Sequence, residues 1–189
     1  FRWPKKGDLP FQQSEQWNKN ACLAQNAIIR LALMTDGYKK AADLAVIQAT
    51  DSRGDRDFLV FPIIFNYRHF LELSLKYIIS TYGPPVDIKP IWNTHDPITL
   101  WDSFSKLMEK YGTEDPDEAD SIVAQVVAEF SKIDPGSFSH RYPLDKAGRP
   151  LPLAHELLDL EVLKDVMEGV AGHFTGCDGY LSNLEDAGP

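Results

Sequence analysis

Residues 58–82, FLVFPIIFNYRHFLELSLKYIISTY, constrain the fold more than any other part of the chain. The segment is long enough for about seven helical turns. Pro62 belongs in the first turn of such a helix, where a missing N–H costs little, and Gly83-Pro84-Pro85 stops it. Apolar side chains occupy nearly its whole circumference, which marks a helix enclosed by others. Yet Arg68 and Glu72 fall about 20° to either side of Phe61, in the middle of the apolar stripe. Two charges so placed must be paired and hydrogen-bonded, or the helix does not bury that face.

A central helix needs neighbours, and the rest of the chain supplies helical patterns without strand alternation. From Ser14 a run of good helix formers extends through Ala21, Ala24, Ile28, Leu31 and Met34. Thr35-Asp36-Gly37 reads as a break or kink, after which the pattern resumes and fades near Thr50. Asp96-Pro97 is an N-cap followed by proline at the first helical position, and it opens a helix that Gly112 closes. Asp115-Pro116 repeats that signal for a helix ended by Asp134-Pro135-Gly136. Residues 134–154 are rich in proline and irregular. Asp159, or a residue slightly earlier, caps a last helix, and residues 176–189 read as a loose tail. The expectation is one all-α domain over residues 1–189, a bundle of five to six helices around the long central one at about 58–82.

Charge narrows the function classes. The 189 residues carry a net charge of −9, and eight acids against one base lie from Glu156 onward, so the other residues carry only −2. A general nucleic-acid coat is excluded by that balance, whereas a local basic cleft in the first 155 residues is not. Cys22 and Cys177 stand far apart outside any CxxC pattern, which suggests a reducing compartment and no zinc site. No apolar run approaches a membrane span, and the first residues lack the apolar core of a signal peptide, so a cytoplasmic protein is expected. Walker, GxGxxG, HExxH and GxSxG motifs are missing, and His69, His95, His140, His155 and His173 show no ligand spacing. Neither a metal nor a cofactor is expected.

Three places carry candidate chemistry. Arg68, Glu72 and Lys76 succeed one another at i, i+4 spacing, with His69 on the flank. Such a cluster lines an interface or anion pocket, or simply ties the central helix to nearby loops. His95 and Asp96 precede a helix, where Asp96 serves as a cap and His95 packs or hydrogen-bonds in the loop. Residues 137–145, SFSHRYPLD, form a polar and aromatic loop in which Arg141 suits a phosphate or carboxylate and His140 exchanges protons near neutral pH. Tyr142 and Asp145 belong to the same loop. The alternative role for Arg141 is to anchor a long loop on backbone carbonyls.

Residues 61–76, FPIIFNYRHFLELSLK, resemble the second helix of bacterial HEPN proteins (higher eukaryote and prokaryote nucleotide-binding domain), in which a YRHxxELxLK pattern is frequent. Residues 94–101, THDPITLW, resemble the HDxxxLW helix start of that family, and Arg141-Tyr142-Pro143 resembles the RYP before its last helix. The resemblance implies a helical bundle that dimerises across its long helices. It also implies kinship with metal-independent ribonucleases of toxin–antitoxin and phage-defence systems. In those an Arg and a His, four to six residues apart, face the dimer mate. Here Arg141 matches the Arg position, but His140 precedes it and no His follows within six residues. Arg149 and His155 have the spacing, but Pro150 and Pro152 keep them from sharing a helical face. Two expectations therefore stand side by side. One is a dimeric ribonuclease using Arg141 and His140, aided by His95 or Arg68. The other is a non-catalytic module that binds a nucleotide, RNA or a protein partner such as an antitoxin, or serves as a dimeric scaffold.

Overall fold

The structure, a computed structural model, describes residues 1–52, 54–113, 115, 117–133 and 141–187. Among these it has five α-helices and no strand beyond one isolated bridge between Leu144 and Pro150: α1 (Ala27–Asp51), α2 (Arg56–Tyr82), α3 (Pro97–Lys110), α4 (Ala119–Ile133) and α5 (Leu160–Ala187). The fold is an all-α bundle with α2 at its centre. α1 packs along α2, while α3 and α5 cover other sides of α2 and α4 closes over α3. Ile63, Tyr67, Leu71, Leu75 and Ile79 of α2 are fully enclosed by Ala42 and Val46 of α1, Leu100, Phe104 and Leu107 of α3, and Met167 and Leu181 of α5. None of the described helices is long and apolar enough to cross a membrane.

Local signals and packing divide the work of setting the helix ends. The Asp96 carboxylate accepts from the backbone N–H of Ile98 and Thr99, both at 3.2 Å, and Pro97 follows it as the pattern requires. Gly112 closes the helix with φ of 69°, a conformation that glycine adopts without a Cβ penalty. Asp115 accepts from the N–H groups of Ala119 and Asp120, so it caps α4 although the helix starts at Ala119, later than Asp115-Pro116 suggests. At the end of α2 the chain folds back tightly, and a Cβ on Gly83 would strike the carbonyl oxygens of Ile79 and Ile88.

Four sequence expectations are corrected. The first helix begins at Ala27 rather than near Ser14, with Asn26 accepting from Ile28 and Ile29 N–H at 3.0 Å each. Residues 21–26 contain helix formers but are almost all exposed, and propensity without tertiary contact does not sustain a helix. Thr35-Asp36-Gly37 neither breaks nor ends α1, because Ala42, Val46 and Ala49 buried on its inner side outweigh the cost of about 1 kcal/mol for one helical glycine. Pro62 lies one turn deeper than expected, since α2 starts at Arg56. Its missing N–H deprives only the carbonyl of Phe58, a residue that is itself exposed. Finally, residues 176–187 are no loose tail. α5 continues to Ala187, with Leu181 fully buried and the Tyr82 hydroxyl donating to the Asp178 carboxylate at 2.6 Å.

Candidate functional site

The i, i+4 series on α2 places Arg68, Glu72 and Lys76 on one face, and all three are buried, with side-chain exposures of 1 %, 2 % and 6 %. Lys76 Nζ donates to Glu72 Oε1 at 2.8 Å, and Arg68 Nη1 lies 3.6 Å from Oε2. The loop before α3 completes the arrangement. His95 Nδ1 sits 2.9 Å from Glu72 Oε1, and Arg68 Nη2 donates to the His95 carbonyl at 2.7 Å. Arg68 thus fixes the backbone of His95, and Glu72 fixes its ring.

Burial alone pushes the Glu72 carboxyl up, but the hydrogen bonds and charges of Lys76 and His95 outweigh it and hold the group below the ordinary carboxylate range. Glu72 is therefore an anion at neutral pH and acts only as an acceptor. An ionised carboxylate at Nδ1 selects the tautomer that carries the proton there, leaving the lone pair on Nε2. The His95 side chain is 70 % exposed, so the ring is largely open to solvent. A buried carboxylate behind an outward imidazole is an arrangement suited to proton transfer. Asp96 beside it is a helix cap. Desolvation raises its carboxyl, but bonds from the Thr99 hydroxyl, from Thr99 and Ile98 N–H and from Ser131 bring it below the usual value.

A second group adjoins the first along α2. Phe65 stacks on His69 one turn later, with ring centroids 5.7 Å apart, and Tyr38 of α1 meets His69 edge-on at 4.3 Å. Burial is the main reason that His69 is held below the usual imidazole value, with the Glu72 charge opposing it. The Arg141 guanidinium lies 5.6 Å from the Phe65 ring centroid and 5.9 Å from that of Tyr142. Positions 65, 68, 69, 72 and 76 follow the spacing of a single helical face, so α2 carries both groups.

Of the residues singled out in the sequence, Arg68, Glu72, Lys76 and His95 come together, while Asp96 caps α3 beside them; His69 and Arg141 meet Phe65, and Tyr142 lies against Arg141. Asp145 does not join either group. Its carboxylate accepts from the N–H groups of Ala147 and Arg149 and pairs with the Arg149 side chain at 2.7 Å, which organises the turn between Leu144 and Pro150. His140 lies outside the described residues. Tyr38 and Phe65 were not candidates in the sequence, although the i, i+4 spacing of Phe65 and His69 is visible there. Two further clusters were also missed. Tyr67 donates to Asp43 at 2.7 Å while Lys39 bridges Asp43 and Glu168, joining α1, α2 and α5. His173 pairs with Asp120 at 2.6 Å, and the Cys177 thiol beside it is pushed up to about 12 by burial and by the charges of Asp120 and Asp115. A thiol so shifted stays protonated and is a poor nucleophile. Among the described residues no three His, Cys, Asp or Glu side chains form a group able to hold a metal ion.

In comparisons with known proteins the chain matches no family model, no curated protein and no solved structure.

Proposed function

We propose that this is a HEPN-like, metal-independent endoribonuclease, acting as a cytoplasmic homodimer in a prokaryotic defence or toxin–antitoxin system. The observation that carries the reading is the outward imidazole of His95, held at Nδ1 by the buried Glu72 carboxylate. RNA brings its own nucleophile, so a proton carrier and a cation at the phosphate suffice. His95 Nε2 takes the proton of a ribose 2′-hydroxyl, and the 2′-oxygen bonds to the adjacent phosphorus. The bond from phosphorus to the 5′-oxygen breaks, and that oxygen takes a proton from an imidazolium, for which His140 is the candidate. Arg141 neutralises the charge that grows on the phosphate oxygens. The products are a 2′,3′-cyclic phosphate and a 5′-hydroxyl.

A second reading is a non-catalytic HEPN module that binds a nucleotide, RNA or a protein partner such as an antitoxin. It is favoured by the bond from Arg68 to the His95 carbonyl and by the capping role of Asp96, both of which a purely structural loop also needs. The separating experiment incubates purified protein with end-labelled RNA in EDTA. Cleavage by wild type, lowered at least ~10²-fold in His95→Ala and Arg141→Ala with thermal stability retained, is the expected result. Intact RNA with wild type supports the binding module, and full activity in His95→Ala removes the proposed proton carrier.

A further inference from the structure

α1 buries one side against α2 and leaves the other in solvent, and that outer side is not a polar one. Ile29, Leu33, Leu44 and Ile47 are each about half exposed, at 56 %, 55 %, 57 % and 49 %. With Asp36 and Lys40 they fall within an arc of about 80° at the helical period, so they form one stripe about 27 Å long. The order of residues along it is close to a palindrome. Counted from Tyr38, Asp36 and Lys40 lie two residues away on opposite sides, and Ile29 and Ile47 lie nine away. Leu33 and Leu44 match within one residue, at five and six.

Within the chain, this central acid and base are not used on each other. Lys39 and Asp43, also four apart, pair at 2.8 Å, and Lys39 reaches Glu168 as well. Asp36 and Lys40 have the same spacing but form no ion pair among the described residues, and both are exposed. Beside them Gly37 faces open space, so a second backbone can approach closely.

We infer that this face of α1 docks on the same face of a second copy, with the two helices antiparallel about a twofold axis at Tyr38. In that register Asp36 of one copy meets Lys40 of the other twice, and the apolar residues at each end of the stripe meet their counterparts. An isologous contact requires a surface complementary to itself, and a stripe with reversed charges about its midpoint has that property only in the antiparallel sense. The charges select orientation and partner, while the apolar layers supply most of the affinity. The inference gives the homodimer proposed above its surface, and it uses neither His95 nor RNA.

Charge reversal tests it by light scattering or sedimentation at micromolar concentration. Wild type is expected to be dimeric. Asp36→Lys and Lys40→Asp should each weaken the dimer at least ~10-fold, since each places like charges opposite one another. The two single variants mixed together should associate with each other, because each supplies the charges the other needs. The variant carrying both changes should dimerise with itself. A monomeric wild type, or single reversals that leave the dimer unchanged, overturns the inference. RNA cleavage measured on the same samples separates this result from the fate of the ribonuclease reading.

Discussion

Glu72 has Lys76 and His95 on one oxygen and Arg68 near the other, all beneath the surface. Removing that carboxylate leaves the Lys76 ammonium buried without its anion, so Glu72→Ala should cost about 3–5 kcal/mol in chemical denaturation. A change below ~0.5 kcal/mol, the scale of surface substitutions, contradicts the burial of the pair. The pH response follows from the same contacts. Because the folded carboxyl lies below its ordinary value of 4.5, the unfolded chain binds the proton first as the solution is acidified. Its contribution is complete above about pH 5.5 and is lost as pH falls through the depressed folded value. Melting temperature should therefore drop steeply below pH 5 in wild type, and more gently in Glu72→Gln once the two are compared relative to their pH 7 values. Equal slopes contradict the claim. At this scale the sequence is only half legible. Arg68, Glu72 and Lys76 announce their contact by spacing on one helix, whereas the approach of His95 to Glu72 spans 23 residues and depends on how α3 is docked.

Helix starts written in local chemistry can be read directly, and Asp96-Pro97 is the clearest of them. Helix ends that rest on packing cannot. Gly176 and Gly179 lower helical propensity in the last part of α5, so the pattern there looks loose. Contacts from elsewhere override that preference: Leu181 is fully enclosed, Tyr82 bonds Asp178, and the Tyr111 hydroxyl reaches both the Tyr82 carbonyl and the Glu185 carboxylate. Leu181→Ala should accordingly destabilise the protein by about 2–5 kcal/mol, as truncation of a core leucine does. Thermal denaturation identical to wild type contradicts a structural role for the final turns. The start of α1 gives the reverse lesson. Its upstream residues favour helix but meet nothing that rewards it, so the Asn26 cap sets the boundary.

Across the whole molecule, the bundle brings Arg68, His69, Glu72 and Lys76 to one face of α2, and the acids of the last helix deepen a net charge that is negative without them. Periodicity made the all-α architecture legible. The proposed activity rests on the resemblance to HEPN proteins together with the geometry around His95. The most direct test of that central claim is the chemistry of the RNA ends produced in EDTA. Fragments ending in 2′,3′-cyclic phosphate with 5′-hydroxyl partners, formed at least ~10²-fold more slowly by folded His95→Ala, are the predicted result. RNA left intact by wild type, or fragments that appear only with a divalent metal and carry 5′-phosphates, would contradict it.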